Sequence, residues 1–216
     1  MKIGIIGAGN VGTGLTKRLI PRGHTVMLSF SRDMQKLKAT AAALGASAGT
    51  VPEAADFGEV LVLTTPWIAT ADAIRQIGKD QPLKIMWDCT NALKPDMSGL
   101  AVGTTTSGAE EVARLVPWAK VVKAIPPFAE LLHASDMQIQ GKRPAVFVCG
   151  DDAQARDVVA TLVGSIGAEP VNSGPLSLAR YTEPAGMLLA QLAYVHGFGA
   201  GIGLSLIHQA AVAGDR

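Results

Sequence analysis

The sequence has few cysteines and almost no net charge, and both shortages narrow what it can be. Its two cysteines, Cys89 and Cys149, lie far apart in separate apolar runs, so they predict neither a disulfide framework nor a metal site. A net charge of +1 at pH 7 gives no reason to expect a nucleic-acid partner. The chain enters a strand-like run at its second residue, which leaves no room for a signal peptide, so we expect a protein of the reducing cytoplasm.

Charged residues are also missing from a long stretch near the C-terminus. No Asp, Glu, Lys or Arg lies between Glu183 and Asp215, and residues 184–207 form a run long enough to span a bilayer. Glycine at every second position from 197 to 203 interrupts this run and no basic cluster flanks it, so we expect no membrane partner. The sequence instead predicts a buried helix over about 176–195, then a bend and a last apolar segment. We expect its apolar surface in the core or in a homodimer interface.

The N-terminus carries the most informative motif. Lys2–Ile6 is an apolar run that predicts a strand, and residues spaced for one helical face follow from position 11. Between them, Gly7, Gly9 and Gly12 have the spacing G-x-G-x-x-G. In this context the first glycine permits the tight turn, the second lets a pyrophosphate approach the backbone, and the third allows close packing of helix on strand. A glycine-rich turn without a ligand is the alternative. The dinucleotide site that we predict here comprises Gly7, Gly9, Asn10, Val11 and Gly12.

The end of the second predicted strand distinguishes the two nicotinamide dinucleotides. NAD sites usually have an acidic residue here for the ribose hydroxyls, whereas NADP sites have an arginine and small hydroxyl residues for the phosphate. The chain has Ser29, Ser31 and Arg32, and a planar guanidinium suits a phosphate. Asp33 is better explained as the cap of the next helix, and Lys36 either adds positive charge or lies on a solvated helix face. We therefore predict NADP(H) as the cofactor.

Two further loops follow predicted strands. Ligands of doubly wound sheets bind beyond the carboxyl ends of the strands, so both loops should lie over the cofactor. The first contains Thr64, Thr65 and Pro66. The second contains Thr90 and Asn91, whose side chains can hydrogen-bond a ribose or a carboxamide.

The order of the elements predicts an α/β fold: a Rossmann doubly wound parallel sheet with a small C-terminal α/β extension that ends in an apolar helix. The predicted strands are 2–6, 24–30, a weak one near 47, 59–63, 83–88, 120–125, 144–149 and 169–171. The predicted helices after the first are 34–44, 68–77, 108–115, 151–165 and 176–195. A polar stretch at 135–142 suggests a boundary, which gives an NADP-binding domain over 1–134 and a substrate and dimerisation region over 135–216.

Nearly the whole chain resembles the family of coenzyme F420-dependent NADP reductases. The resemblance is carried by the glycine motif at 7–12, by Ser31-Arg32, and by six later segments of the sequence: 63–67, 88–92, 120–124, 148–152, 168–176 and 179–184. It implies a Rossmann domain with a small extension, usually dimeric, that passes a hydride between NADPH and an 8-hydroxy-5-deazaflavin stacked on the nicotinamide. Such a transfer needs closely held rings rather than a metal or a nucleophile.

On this resemblance Thr65, Pro66 and Asn91 would position the nicotinamide. The wall of the acceptor pocket would comprise Ile125, Pro126, Pro127, Gly186 and Met187. The link before Pro126 is shorter than is common in the family, and the start of the last helix lacks the hydroxyl and proline that we would expect. Other small-molecule acceptors therefore stay open, namely a flavin, a quinone, a ferric chelate or a small carbonyl or imine. A non-catalytic NADP-binding module is a further alternative.

Four ionisable residues have more than one interpretation. His133 and His196 are weak candidates for proton donors, and partly exposed histidines without chemistry are the commoner case. Lys123 lies near a strand end, where it could protonate a carbonyl product, although we expect a side chain that reaches for solvent. Glu183 is interpreted as a charge in the first turn of the last helix. No residue is predicted to be catalytic in its own right.

Overall fold

The computed structural model describes residues 1–78, 81–207 and 209. Within these residues one sheet contains eight strands in the order β3-β2-β1-β4-β5-β6-β7-β8. The strands are β1 (Lys2–Ile6), β2 (Thr25–Ser29), β3 (Ser47–Ala48), β4 (Val60–Leu63), β5 (Lys84–Asp88), β6 (Ala119–Lys123), β7 (Ala145–Gly150) and β8 (Glu169–Gly174).

Helices cover both faces of the sheet. They are α1 (Asn10–Leu19), α2 (Met34–Leu44), α3 (Val51–Phe57), α4 (Trp67–Ile77), α5 (Gly108–Leu115), α6 (Ala129–His133), α7 (Ala153–Ser165) and α8 (Ala179–Ala190). Neighbouring strand residues supply one apolar core on each face: Ile5 and Val62 belong to one core, Ile6 and Leu63 to the other. The predicted doubly wound α/β fold is therefore confirmed.

The sheet differs from the prediction in the direction of its last two strands. β6 and β7 pair antiparallel, with Lys123 opposite Cys149, whereas β7 and β8 pair parallel. The chain leaves β6 through Pro126-Pro127 and the short α6, which packs on α1, and no helix carries it back to the amino end of the sheet. It therefore enters β7 at the edge where it left β6, and β7 has to run in the opposite direction.

Two helices were absent from the sequence-based prediction. α3 begins with a capping box, in which Thr50 Oγ1 accepts from Glu53 N at 3.4 Å and Thr50 N donates to Glu53 Oε2 at 2.7 Å. The sequence shows this signal as a threonine followed three positions later by a glutamate. α6 has five residues, too few for a periodic pattern.

The prediction of a buried C-terminal helix over 176–195 was wrong in part. α8 ends at Ala190, and a π-helical turn over Gln191–Val195 follows it. Tyr181 and Leu188 are 71% and 59% exposed, so the apolar face of α8 is only partly covered by the rest of the chain. No helix among the described residues is long and apolar enough to cross a membrane.

A buried ionic cluster joins three parts of the fold. Lys123, at the end of β6, is fully buried; its Nζ lies 2.9 Å from Asp88 Oδ2 and 3.1 Å from Glu183 Oε1. It also donates to Thr90 O at 2.5 Å. Glu183 accepts at 2.8 and 2.9 Å from the first two backbone N–H groups of α5, so it caps that helix. The sequence-based interpretations of Lys123 as a side chain that reaches for solvent, and of Glu183 as a charge in the first turn of its own helix, were therefore wrong.

Electrostatics keep this lysine charged. Burial disfavours the ammonium form, but the carboxylates of Asp88 and Glu183 outweigh that effect and raise the pKa of Lys123 above its ordinary value. Asp88 in turn accepts from Thr90 N and Thr90 Oγ1 at 2.9 and 2.7 Å. Each charge thus has partners, which is the condition under which buried charges are tolerated.

We predict that Lys123→Met will lower the free energy of unfolding by about 3–5 kcal/mol, because it leaves two buried carboxylates without their cation. Lys120→Met is the matched control in the same strand, since Lys120 pairs with Asp152 with both side chains 31% exposed. The control should cost at most about 1 kcal/mol. Urea denaturation measures both values. Equal losses for the two variants would contradict the cluster's structural role.

Candidate functional site

The glycine motif forms a turn at the carboxyl edge of the sheet. Gly7 has φ +123°, a conformation that side-chain-bearing residues rarely adopt. A Cβ on Gly12 would lie 1.9 Å from Gly7 O, so this position requires glycine for α1 to pack against the strand exit. A Cβ on Gly9 would have no atom within 4 Å, which shows that this stretch of backbone faces open space. These three environments match those of a dinucleotide-binding turn.

The N-terminus of α1 opens beside this turn and carries no side-chain cap. Gly9 precedes the helix and has no side chain, and the helix begins with Asn10, which is exposed, and Val11, which packs on the core. The first N–H groups of an uncapped helix and its positive dipole end form an anion site. The site can accept a diphosphate from the cleft.

The cleft has a volume of about 720 Å³. It is large enough for a nucleotide, since ligand pockets generally measure about 300–1,000 Å³. Six of the residues predicted to bind cofactor line it together: Gly7, Gly9, Ser31, Arg32, Thr64 and Pro66. Residues that the sequence analysis did not name complete the lining: Ala8, Phe30, Met34, Gly49, Thr50, Val51, Ala69, Asp72 and Gln76.

The segment after β2 presents Arg32 to the cleft. Phe30 turns the chain there with φ +60°. Ser31 Oγ bonds the backbone of Asp33, and the Asp33 carboxylate accepts from the N–H groups of Gln35 and Lys36, which confirms its capping role. Arg32 is exposed and has no hydrogen bond or ion pair to another described residue. The neighbouring carboxylate of Asp33 thus caps α2, whereas the Arg32 guanidinium is available to bind an anion.

Eight of the fourteen residues predicted to bind cofactor do not line the cleft, and Ser29, Thr65 and Lys36 are three of them. Ser29 is fully buried at the end of β2, and its hydroxyl donates to Ile5 O of the neighbouring strand at 3.0 Å. Thr65 is buried, with its hydroxyl 2.9 Å from Thr70 Oγ1. Lys36 is exposed in the first turn of α2 and does not line the cleft. Their placement gives no support to a direct contact with the cofactor.

Thr64 supports the glycine turn itself. Its hydroxyl donates to Gly7 O at 2.7 Å, and a Cβ on Gly7 would lie 2.6 Å from the same hydroxyl oxygen. The Thr64 hydroxyl thus holds the Gly7 carbonyl in place. Gly7 also lies so close to Thr64 that a residue with a side chain does not fit there. Pro66 begins α4 beside it and contributes an apolar surface to the cleft.

Asn91 belongs to the loop after β5 and contacts helix α8. Its Nδ2 is 3.4 Å from Glu183 O, and a Cβ on Gly186 would lie 2.8 Å from the same nitrogen. Its Oδ1 is buried and has no hydrogen-bond donor among the described residues. A buried carbonyl without a donor is costly. It fits a ligand that brings an N–H group, and a carboxamide brings two. Thr90, by contrast, uses its hydroxyl within the loop by donating it to Asp88.

The predicted acceptor residues line a second, smaller cavity of about 70 Å³. Ile125, Pro126 and Pro127 form one wall and Gly186 belongs to the opposite one, whereas Met187 does not line the cavity. The described lining contains no ionisable side chain, and Thr182 is its polar member. The sequence analysis missed the remaining apolar lining residues: Phe128, Pro144, Ala145, Val146, Phe147, Ala185, Leu189, Ile202, Gly203 and Leu204.

His133, His196 and the two cysteines have contacts that explain them without catalysis. His133 Nε2 lies 3.0 Å from Asn10 O and 3.3 Å from Thr13 Oγ1, so it ties α6 to the start of α1. His196 is exposed in the turn after α8 and lines neither cavity. Burial raises the pKa of Cys149 to about 11 and that of Cys89 well above its ordinary value, so both are inert thiols at neutral pH. Nowhere in 1–78, 81–207 or 209 do three or more His, Cys, Asp or Glu residues converge as a metal site would require.

Comparison with known proteins agrees with this geometry. The family described as coenzyme F420-dependent NADP oxidoreductase matches residues 2–92, which contain the glycine turn, Arg32 and Asn91. The crystal structure of a candidate F420-dependent NADP reductase from Arthrobacter sp. FB24 superimposes with a TM-score of 0.85 at 26% identity, over 96% of this chain and 100% of that one. A hypothetical protein from Sinorhizobium meliloti is 30% identical, with a TM-score of 0.71, over 82% of this chain and 86% of that one.

A longer relative is the metalloreductase STEAP3 of Rattus norvegicus. It is 27% identical over 193 residues, which cover 84% of this chain and 36% of the rat protein. The chain thus spans about a third of that relative's length. With the family match, the full-length structural likeness and the cleft geometry, the chain belongs to the coenzyme F420-dependent NADP oxidoreductase family and is an NADP-dependent oxidoreductase.

Proposed function

We propose that the protein transfers a hydride between NADPH and a deazaflavin, coenzyme F420. The observation that carries this proposal is the contrast between the linings of two sites. The cleft has a free arginine and an uncapped helix N-terminus, whereas the acceptor cavity has no ionisable side chain in its described lining. Bound NADPH would supply a hydride from its nicotinamide ring, so the acceptor side needs shape and dryness more than acid–base groups.

The residues of the cleft have separate roles in this proposal. The N–H groups at the start of α1, from Asn10 and Val11, hold the pyrophosphate, and Gly9 allows it to approach. Arg32 and Ser31 hold the 2′-phosphate, because Asp33 is committed to capping α2.

At the nicotinamide end, Asn91 Oδ1 accepts a hydrogen bond from the carboxamide and so fixes the rotation of the ring. Pro66 packs against the nicotinamide half of the cofactor. Ile125, Pro126, Pro127 and Gly186 exclude water from the face on which the acceptor stacks.

A ferric chelate or a flavin is the second candidate for the acceptor, supported by the likeness to a metalloreductase. A small carbonyl or imine fits less well, because its reduction requires a general acid at the reacting atom and the described lining of the cavity offers none. A quinone needs the same dry, apolar slot as a flavin. An NADP-binding module without catalysis would bind NADPH and leave every acceptor unreduced.

We further propose a homodimer that forms through the C-terminal helix. Tyr181, Leu188, Tyr194 and Val195 are 71%, 59%, 50% and 61% exposed, and all four belong to α8 or the turn that follows it. Clustered exposed apolar side chains are typical of subunit interfaces. Residues 135–216 would then serve as the substrate and dimerisation region.

We also propose a cytoplasmic location, which agrees with two free, buried cysteines.

Arg32→Glu should weaken NADPH binding by about 30- to 100-fold, equivalent to about 2–3 kcal/mol, because it replaces a charge-assisted phosphate bond by repulsion. NADH binding should change little, since NADH lacks the 2′-phosphate. Lys38→Glu is the matched control, an exposed charge on α2 that does not line the cleft. Fluorescence titration gives all the dissociation constants. Unchanged NADPH affinity in Arg32→Glu would refute the assignment of the phosphate site.

The acceptor is identified by NADPH oxidation with coenzyme F420, FMN and a ferric chelate in parallel. We expect kcat/KM for the deazaflavin to exceed that for either other acceptor by at least about tenfold. Asn91→Ala should lower kcat about 10- to 100-fold, because a loosely held ring reacts less often. Faster turnover with FMN or the chelate would replace the deazaflavin assignment. Tight NADPH binding without any turnover would contradict hydride transfer altogether.

Leu188→Glu should convert the dimer into a monomer, because it places a charge in an apolar interface. Ile68→Glu is the control, since Ile68 is 81% exposed on α4, away from the proposed interface. Sedimentation analysis of both variants and of the unmodified protein separates the outcomes. A monomeric unmodified protein, or a dimer that survives Leu188→Glu, would refute the proposed interface.

A further inference from the structure

The described C-terminal residues 200–207, here called the strap, contribute Ile202, Gly203 and Leu204 to the lining of the acceptor cavity. The strap follows a turn in which Gly197 and Gly199 have φ of +78° and +72°. Beyond it, Ile202 and Leu204 are half-buried and alternate with exposed residues, which is the pattern of an extended edge segment. Both side chains line the cavity.

The strap fills a gap in the sheet. β6 pairs with β7 only at its very end, where Val122 and Lys123 lie opposite Gly150 and Cys149. The start of β7 therefore extends past the end of β6, and the N–H of Ala145 has no partner on β6. The strap takes up this position, and Ala145 N donates to Leu204 O at 2.8 Å. Ligands of open α/β sheets bind beyond the carboxyl ends of strands, which is where the strap lies.

The strap also packs tightly at one point. A Cβ on Gly203 would lie 2.9 Å from Pro144 Cβ and 3.3 Å from Ile139 Cδ1, so the backbone rests directly on the residue that precedes β7. A Cβ on Gly201 would have no atom within 4 Å. Neither glycine has a positive φ, so substituting either tests packing without straining the backbone.

With the strap in place the cavity is too small for a ring system. It measures about 70 Å³, whereas pockets for ligands of cofactor size start near about 300 Å³. Its other walls are β7, α8 and the segment after β6. Pairing with β8 holds β7 in the sheet, and Trp87 Nε1 donates to Ala124 O at 2.8 Å in the segment after β6. The strap is the wall that can leave without breaking a strand pair or a helix.

We infer that the strap is the specificity element of the acceptor site: Ile202 and Leu204 occupy the space of an acceptor ring, and a flavin-sized or deazaflavin-sized acceptor binds by displacing them. This inference rests on the proposed hydride transfer to a ring acceptor. The measured affinity for such an acceptor then equals its intrinsic affinity multiplied by the fraction of protein in which the strap is open. Loosening the strap raises this fraction and leaves the NADPH cleft untouched.

Gly203→Val tests the inference, with Gly201→Val as its matched control. Gly203→Val forces the strap away from Pro144, so KM for coenzyme F420 and for FMN should fall by about fivefold or more while the NADPH dissociation constant stays the same. Gly201→Val should leave both quantities unchanged. A decrease in acceptor KM shared by both variants, or absent from both, would overturn the inference.

Hydrogen exchange provides a readout that does not depend on turnover or on any variant. The amide of Ala145 is protected by its bond to the strap, so saturating FMN or coenzyme F420 should accelerate its exchange in the unmodified protein by about tenfold. The amide of Val122, within the β5–β6 ladder, is the internal control. Unchanged or slower exchange at Ala145 overturns the strap inference, whether or not the protein turns over. Faster exchange without NADPH oxidation supports the strap and refutes the proposed reaction.

Discussion

The rest of the structure depends on one buried cation. Lys123 is shared by Asp88 at the end of β5, by Thr90 O in the loop beyond it and by Glu183 in α8, and Glu183 in turn caps α5. Removing one partner from such a buried ion pair costs about 3–5 kcal/mol, so the cluster favours the arrangement in which all of these elements meet. That arrangement sets Asn91, three residues after Asp88, against Gly186, three residues after Glu183. The loop after β5 and helix α8 are thereby fixed to one another.

The features that the sequence predicted well are those with local causes. Gly7 and Gly12 are determined by the geometry of one turn. Gly7 has a positive φ, and a Cβ on Gly12 would lie 1.9 Å from a carbonyl oxygen, so each position requires glycine. Asp33 caps the helix that begins one residue later. Strand and helix bounds agree within one or two residues wherever a hydrophobic period was long enough, as in α2 and β4. Such signals are complete within about ten residues of sequence, so no tertiary information is required to interpret them.

The features that escaped prediction involve partners distant in the chain. Gly108 N and Glu183 are 75 residues apart, and no local pattern distinguishes a glutamate that caps a remote helix from one in its own first turn. Lys123 has the same sequence context whether it reaches solvent or two carboxylates. Likewise, the direction of β7 follows from the missing crossover helix after β6, and the role of Ile202 and Leu204 follows from where that strand begins. Each of these is a property of the assembled sheet.

The proposed cofactor site and the proposed acceptor site differ in the kinds of residue that line them. On the proposed function, the cofactor is recognised by polar groups whose identities are constrained: a glycine turn, a helix N-terminus, an arginine and an amide oxygen that has no donor among the described residues. The proposed acceptor side is lined instead by apolar residues, for which volume-conserving exchanges cost little. On this proposal a change of acceptor requires no change in the NADP half, provided that the ionic cluster keeps the two halves in register. Sequence motifs thus indicate the dinucleotide, because chemistry constrains those residues. The proposed acceptor would instead depend on the size of a cavity whose lining residues, among them Ile125, Gly186 and Leu204, are far apart in the chain.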